Sequence, residues 1–118
     1  MSSILGDIKS SLGVSVDIDE YDRDIILHLN STLSKLFQIA GGPSGTVPQV
    51  LDDTTEWDKV IDAGNETAMI RSYIYLSIRL LFDPPTTSFA INSMREQQQE
   101  FEWRIRELED IFVSVPQE

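Results

Sequence analysis

The stretch YIYLSIRLLFDPPTTSF, residues 73–89, decides how the chain is organised. A dense apolar and aromatic segment runs into Asp83, Pro84 and Pro85, and a second segment begins within a few residues. Proline cannot continue a helix, and Pro84 disfavours helical backbone at Asp83. The stretch therefore predicts two helices that meet at a short corner. This helix corner is either an ordinary helix hairpin or a rigid joint that fixes the angle between the helices.

Hydrophobic periodicity predicts further helices on both sides of the corner. Apolar spacing of three and four residues indicates a short helix that ends at Gly13 and a long helix that ends at Gly41. Segment 66–83 is apolar nearly all round, as in a helix buried on most sides. The last helix is predicted over residues 86–115, and it would be about 40 Å long. Because that exceeds what a small core covers, part of it is expected to project or to pack on a neighbour.

These segments predict a mainly α fold. We expect a single domain over residues 1–118, with about four to five helices and a long C-terminal helix. Two prolines and three glycines between residues 41 and 50 exclude a helix there. A short extended loop or strand is predicted near residues 44–52, and Pro48 would confine such a strand to an edge or a bulge.

Composition excludes several classes of function. Twenty acidic and nine basic residues give a net charge of −11, which disfavours binding to free nucleic acid. The chain has no cysteine, so it has neither disulfides nor thiolate metal sites. No apolar run approaches the roughly 18 residues of a membrane span, and the start of the chain does not resemble a secretory leader.

No catalytic or metal-binding constellation is apparent. The single histidine, His28, lies beside an apolar stripe and is interpreted as a structural residue. The acidic segment DIDEYDRD, residues 17–24, lacks the central glycine and the terminal glutamate of a calcium loop. It is interpreted as negative charge at a helix N-terminus. We expect no enzymatic activity, no cofactor and no metal.

Three groups of residues are candidates for contacts with other proteins. The first is a loop that serves either as a grip on a partner or as a plain connector: Gly41, Gly42, Pro43, Gly45, Val47 and Pro48. The second is a possible subunit interface of aromatic residues: Tyr75, Phe82 and Trp103. The third is the helix corner itself, Asp83, Pro84 and Pro85. The alternating charges around Trp103 fit either a solvated helix face or a subunit interface.

Three stretches resemble a known family. They are DIILHLNSTLSKLFQIAGGP at residues 24–43, YIYLSIRLLFDPPTTSFA at residues 73–90, and EFEWRI at residues 100–105, with Trp57 between the first two. Together they resemble the small phage head–tail connector proteins, the adaptors of long-tailed phages. The resemblance covers roughly residues 4–108, and none of its motifs is catalytic.

The resemblance implies a structural virion protein. Such subunits assemble head-to-tail with copies of themselves into a ring under the portal protein, above a downstream connector or tail-completion protein. DNA passes through the ring without specific binding, and no membrane is involved. The protein would be located at the head–tail interface of the virion, and in the host cytoplasm before assembly. Four acids are candidates for the channel lining: Glu96, Glu100, Glu107 and Asp110.

A second class of function fits the charge. An acidic helical module could regulate a host protein or mimic DNA. A DNA mimic should present its acids on one exposed face and compete with DNA for a basic partner.

Overall fold

The described part of the chain contains four α-helices. A computed structural model describes residues 3–40, 49–50, 52–108 and 111–113. The helices are α1 (Ile4–Ser11), α2 (Asp22–Ala40), α3 (Thr67–Phe82) and α4 (Ser88–Ile105). Two single turns of 3-10 helix, Trp57–Lys59 and Gly64–Glu66, precede α3. Within the described residues there are isolated bridges but no strand. The prediction of a mainly α fold is confirmed.

Local chemistry fixes the helix ends. The hydroxyl of Ser3 accepts a hydrogen bond from the Gly6 backbone N–H at 2.9 Å and caps α1. Gly13 follows α1 with φ 77°, a backbone conformation that glycine adopts without strain. The hydroxyl of Thr87 caps α4 in the same way, through the Ala90 N–H. α1 and α4 therefore begin where the sequence supplies a capping hydroxyl, and α1 ends just before a glycine.

α3 lies at the centre of the core. It packs against both α2 and α4, and its buried side chains are Ile70, Tyr73, Ile74, Ser77 and Ile78. α2 buries one stripe, as its periodicity predicts: Ile25, Leu29, Leu33 and Leu36. α3 is less completely buried than predicted, because Leu81 remains 57% exposed at its C-terminal end.

α3 and α4 form an antiparallel pair around the corner. Tyr73 contacts Glu102, and one turn further along Ser77 contacts Gln98. α3 ends at Phe82, directly before Asp83 and the two prolines. The geometry is that of a helix hairpin. Whether it also acts as a rigid joint in assembly stays a prediction.

α4 is shorter than predicted. It ends at Ile105, so it measures about 27 Å rather than 40 Å. The chain then turns and residues 111–113 pack back on the core, with Ile111 and Phe112 buried. The Ile111 carbonyl accepts from the Asp62 N–H at 2.8 Å, and the Val113 N–H donates to Val60 at 2.9 Å. Burial of two large apolar side chains outweighs the helix propensity of the segment before them, so the predicted extension of the helix beyond Ile105 is wrong. Packing of α4 on a neighbouring subunit stays a prediction.

The predicted connection between α2 and the Trp57 turn is described only in part. Residues 41–48 and residue 51 lie outside the described residues, so the predicted strand near residues 44–52 stays a prediction. Val50 is buried, and its N–H and carbonyl both bond the side-chain amide of Asn30, at 2.8 and 2.9 Å. This paired contact fixes the far end of the connection on α2.

Candidate interaction surfaces

A buried lysine organises the connection between α1 and α2. Lys9 is only 3% exposed, and its ammonium group lies 2.8 Å from the Asp22 carboxylate. The same group donates to the carbonyl oxygens of Val16 and Ile18. A buried ammonium needs such partners because desolvation is costly. Lys9 therefore holds residues 16–22 in a fixed path.

The burial of Lys9 could have been predicted from its position in the sequence, although apolar periodicity alone does not indicate it. Lys9 follows Ile8 and lies one helical turn after Leu5, so it borders the apolar stripe of α1. A charged residue at the edge of a buried stripe requires a partner. The dense acids of residues 17–24 supplied candidates, and Asp22 is the one that pairs.

A second polar hub joins three helices. Glu102 on α4 accepts from the Tyr73 hydroxyl at 2.8 Å and pairs with Lys35 of α2 at 2.9 Å. Burial acts to raise the pKa of Glu102, but the bonds from Lys35 and Tyr73 and the charges of Lys35 and Arg106 outweigh it and lower the pKa. Burial, followed by the hydrogen bond to Glu102, raises the pKa of Tyr73. The hub is an anionic carboxylate held by a neutral phenol and a cation.

A third hub surrounds Trp57. Asp7 accepts from the Trp57 indole N–H at 2.7 Å and from Arg71 at 2.9 Å. The Arg71 guanidinium lies 4.6 Å from the Trp57 ring centre, a cation–π contact. The ring of Tyr75 packs edge-on against Trp57 at 5.9 Å. This hub attaches the segment before α3 to both α1 and α3.

The aromatic residues predicted as a subunit interface have different surroundings. Tyr75 is half-buried against Trp57, and Phe82 is half-buried with its ring 5.7 Å from that of Tyr21. Trp103, by contrast, is 66% exposed on α4. The structure does not bring these three side chains together. Of the three, Trp103 is the one whose side chain is exposed enough to contact a partner.

The candidate channel acids lie near Trp103. Glu96 and Glu100 are exposed on α4, on the side that faces away from buried Ile105. Phe89, Glu96 and Trp103 are spaced by seven residues, so they share this side of the helix. We call the set Phe89, Glu96, Glu100 and Trp103 the outer face of α4. Glu100 also pairs with Arg104 at 2.8 Å.

The remaining candidate residues fall elsewhere. Glu107 is exposed in the turn after α4, while Asp110 lies outside the described residues. All six residues of the candidate partner-contact loop, Gly41, Gly42, Pro43, Gly45, Val47 and Pro48, are also outside them. At the corner, Asp83 and Pro84 are exposed and Pro85 is half-buried.

Two open grooves flank α3. One, of about 450 Å³, lies between α3 and α4 and is lined by Tyr75, Leu76, Met94 and Phe101 with Arg79. The other, of about 330 Å³, opens between α2, α3 and α4 and carries Lys35 and Arg95. The second groove could not be predicted from the sequence, because its cations come from helices far apart in the chain.

The described residues contain no group of three His, Asp or Glu side chains placed to hold a metal. His28 is half-buried on α2 and lines a shallow pocket with Tyr21 and Asp24. None of the helices that the structure describes has the length and apolarity to cross a bilayer.

These observations define a class of protein, a small helical domain. Polar contacts hold its helices together, and aromatic side chains are exposed on α4. The family described as Phage connector protein matches residues 4–110, nearly the whole chain. The chain therefore belongs to the phage connector protein family. Searches of curated proteins and of solved structures gave no match.

Proposed function

We propose that the protein is a structural, non-enzymatic adaptor that forms a ring under the phage portal, through which DNA passes. The family match over residues 4–110 carries this proposal. The partners are further copies of the chain, the portal protein, and a downstream connector or tail-completion protein. The site of action is the head–tail interface of the virion, after a stage in the host cytoplasm.

The outer face of α4 supports the proposal. Phe89 is 82% exposed and lies on the same face as Trp103, about 21 Å from it along the helix. Exposed aromatics are typical of residues that a subunit contact covers. The acids on this face, Glu96 and Glu100, would repel the DNA backbone at the edge of a channel, so DNA would slide without releasing counterions.

The two roles assigned to this face can be separated by mutation. Trp103 is proposed to serve assembly, whereas Glu96 and Glu100 are proposed to serve DNA passage. Replacement of both acids by Gln should leave ring formation intact and increase DNA retention by the ring, an effect that salt should reverse.

The loop at residues 41–48 is proposed to contact the portal or the next connector.

The exposed acids lie in more than one cluster. Those of residues 17–24 lie at the start of α2. Asp62 lies near the end of α2, because its N–H donates to Ile111 and the Ile111 N–H donates to Ala40. The two ends of α2 are about 28 Å apart. The DNA mimic is the second candidate function, and the binding experiment that follows separates it from the adaptor.

The first experiment is light scattering of the purified protein over a concentration series, with negative-stain images of the most concentrated sample. Closed rings with a central hole would support the adaptor. If the protein stays monomeric, portal-bearing heads are added and the bound fraction is measured. Failure to bind such heads, together with salt-sensitive competition with DNA for a basic protein, would favour the regulatory module.

A further inference from the structure

The groove between α2, α3 and α4 is a local positive site on an acidic protein. Lys35 and Arg95 line it, together with the hydroxyls of Ser31 and Ser77. Arg95 is exposed and makes no ion pair with any residue that the structure describes. Lys35 is already paired with the Glu102 carboxylate at 2.9 Å, so Arg95 is the cation in this groove that can bind a further carboxylate without breaking an ion pair. We call this groove the basic cleft, and its chemistry suits a carboxylate ligand.

The basic cleft also has an apolar rim. Leu80 and Leu81 line the cleft beside the cations, and Leu81 is 57% exposed. A ligand that carries both carboxylates and apolar side chains would match this lining better than a bare anion.

The chain itself presents such a segment. Residues 16–20, VDIDE, alternate apolar and acidic side chains, and all five are exposed. We call them the acidic loop. Val16 is 63% exposed although Lys9 bonds its carbonyl oxygen and fixes the backbone. A buried lysine already holds this loop in place, and the apolar side chains of the loop face solvent. The loop therefore has little conformational entropy left to lose on binding.

We propose that the acidic loop of one copy docks in the basic cleft of the next copy. Asp17, Asp19 and Glu20 would meet Lys35 and Arg95, while Val16 and Ile18 would cover Leu81. The two surfaces differ, so the contact is heterologous and repeats around a ring if the rotation closes. The inference rests on the proposed ring and names the contact that builds it.

Disulfide trapping tests this contact directly, because the chain has no native cysteine. Ser15 borders the acidic loop and Ser31 lines the basic cleft, and both are exposed. Ser15→Cys and Ser31→Cys are close in size to the native side chain and keep every charge. The two single variants, one with a tag that changes its mass, are mixed and oxidised mildly, and mixed dimers are quantified on a non-reducing gel.

The matched control is Ser72→Cys, an exposed serine in the other groove of α3. We expect the Ser15–Ser31 mixed dimer to exceed the Ser15–Ser72 dimer about tenfold, because docking raises the effective concentration of the thiols. Equal yields of the two dimers would overturn the proposal.

Charge reversal is the second part of the trapping experiment. Arg95→Glu in the Ser31→Cys chain should reduce the mixed dimer to the control level, and Asp19→Arg in the Ser15→Cys chain should restore it. Arg95 is exposed, so circular dichroism should show an unchanged fold. If Arg95→Glu leaves trapping unchanged but abolishes binding of a short DNA duplex, the cleft is a phosphate site and the proposal is wrong.

The trapping result is distinguishable from a failure of the proposed function. Rings of the wild-type protein with no Ser15–Ser31 dimer would leave the adaptor intact and overturn only this interface. Absence of both rings and dimer would overturn this interface, and binding to portal-bearing heads would then decide the adaptor.

Discussion

Replacement of the buried Lys9 by Met should strongly destabilise the fold. Methionine keeps the length of the side chain and removes the ammonium group that bonds Asp22, Val16 and Ile18. Removing one member of a buried ion pair costs about 3–5 kcal/mol. The Asp22 side chain is 25% exposed and regains some water, so we expect about 2–3 kcal/mol here. For a domain of this size that is a fall in Tm of about 10 °C.

Urea unfolding, followed by far-UV circular dichroism and by the fluorescence of buried Trp57, measures this change. The control is Lys59→Met, since Lys59 is exposed and has no ion pair among the residues described; its effect should stay within about 0.5 kcal/mol. Combined with Asp22→Asn, Lys9→Met should show a coupling free energy of about 1–2 kcal/mol. If Lys9→Met is no more destabilising than Lys59→Met, the account of this hub is incorrect.

Three further changes probe the second hub, the outer face and the corner. Glu102 has a lowered pKa in the folded state, so its stabilisation is present above the unfolded-state pKa and is lost as pH falls through the folded-state pKa. Glu102→Gln should therefore destabilise at neutral pH and match the wild type in acid, as measured by urea midpoints; a constant difference would contradict this. Trp103→Ala should leave the urea midpoint unchanged and weaken ring formation, whereas Leu27→Ala, at an exposed leucine of α2, should alter neither. Pro84→Ala combined with Pro85→Ala should keep the helical content but reduce incorporation into particles, and normal particles would count against the rigid joint.

The helices were predictable because their information is local. The stripe of α2 at Ile25, Leu29 and Leu33 repeats at the helical period, and Gly13 is positioned to end α1. The end of α4 was not predictable in this way. Residues 106–108 favour a helix by composition, but the chain turns there and Ile111 and Phe112 are buried in the core.

The candidate surfaces likewise differ in whether local sequence or tertiary packing determines them. Exposure of Trp103 was one of two alternatives, because the alternating charges around it fit a solvated helix face as well as a subunit interface. The basic cleft could not be found from sequence, because Lys35 and Arg95 are sixty residues apart and meet only when α2 and α4 pack beside α3. The burial of Lys9 was likewise missed, because hydrophobic periodicity identifies apolar positions and does not indicate a buried charge.

The net charge of −11 leads to a final prediction about salt. At about 0.01 M salt the screening length is about 30 Å, so acidic copies repel one another before any surfaces meet. At about 0.15 M it falls to about 8 Å, which removes this long-range repulsion and leaves close pairs such as Arg95 with Asp19 effective. At about 1 M those pairs are screened as well. The yield of the Ser15–Ser31 mixed dimer should therefore be highest near physiological salt and lower on both sides. A yield that only falls with added salt would mean that attraction at the basic cleft dominates at every distance. A yield that only rises would mean that the contact is apolar and that the cations of the basic cleft contribute nothing to it.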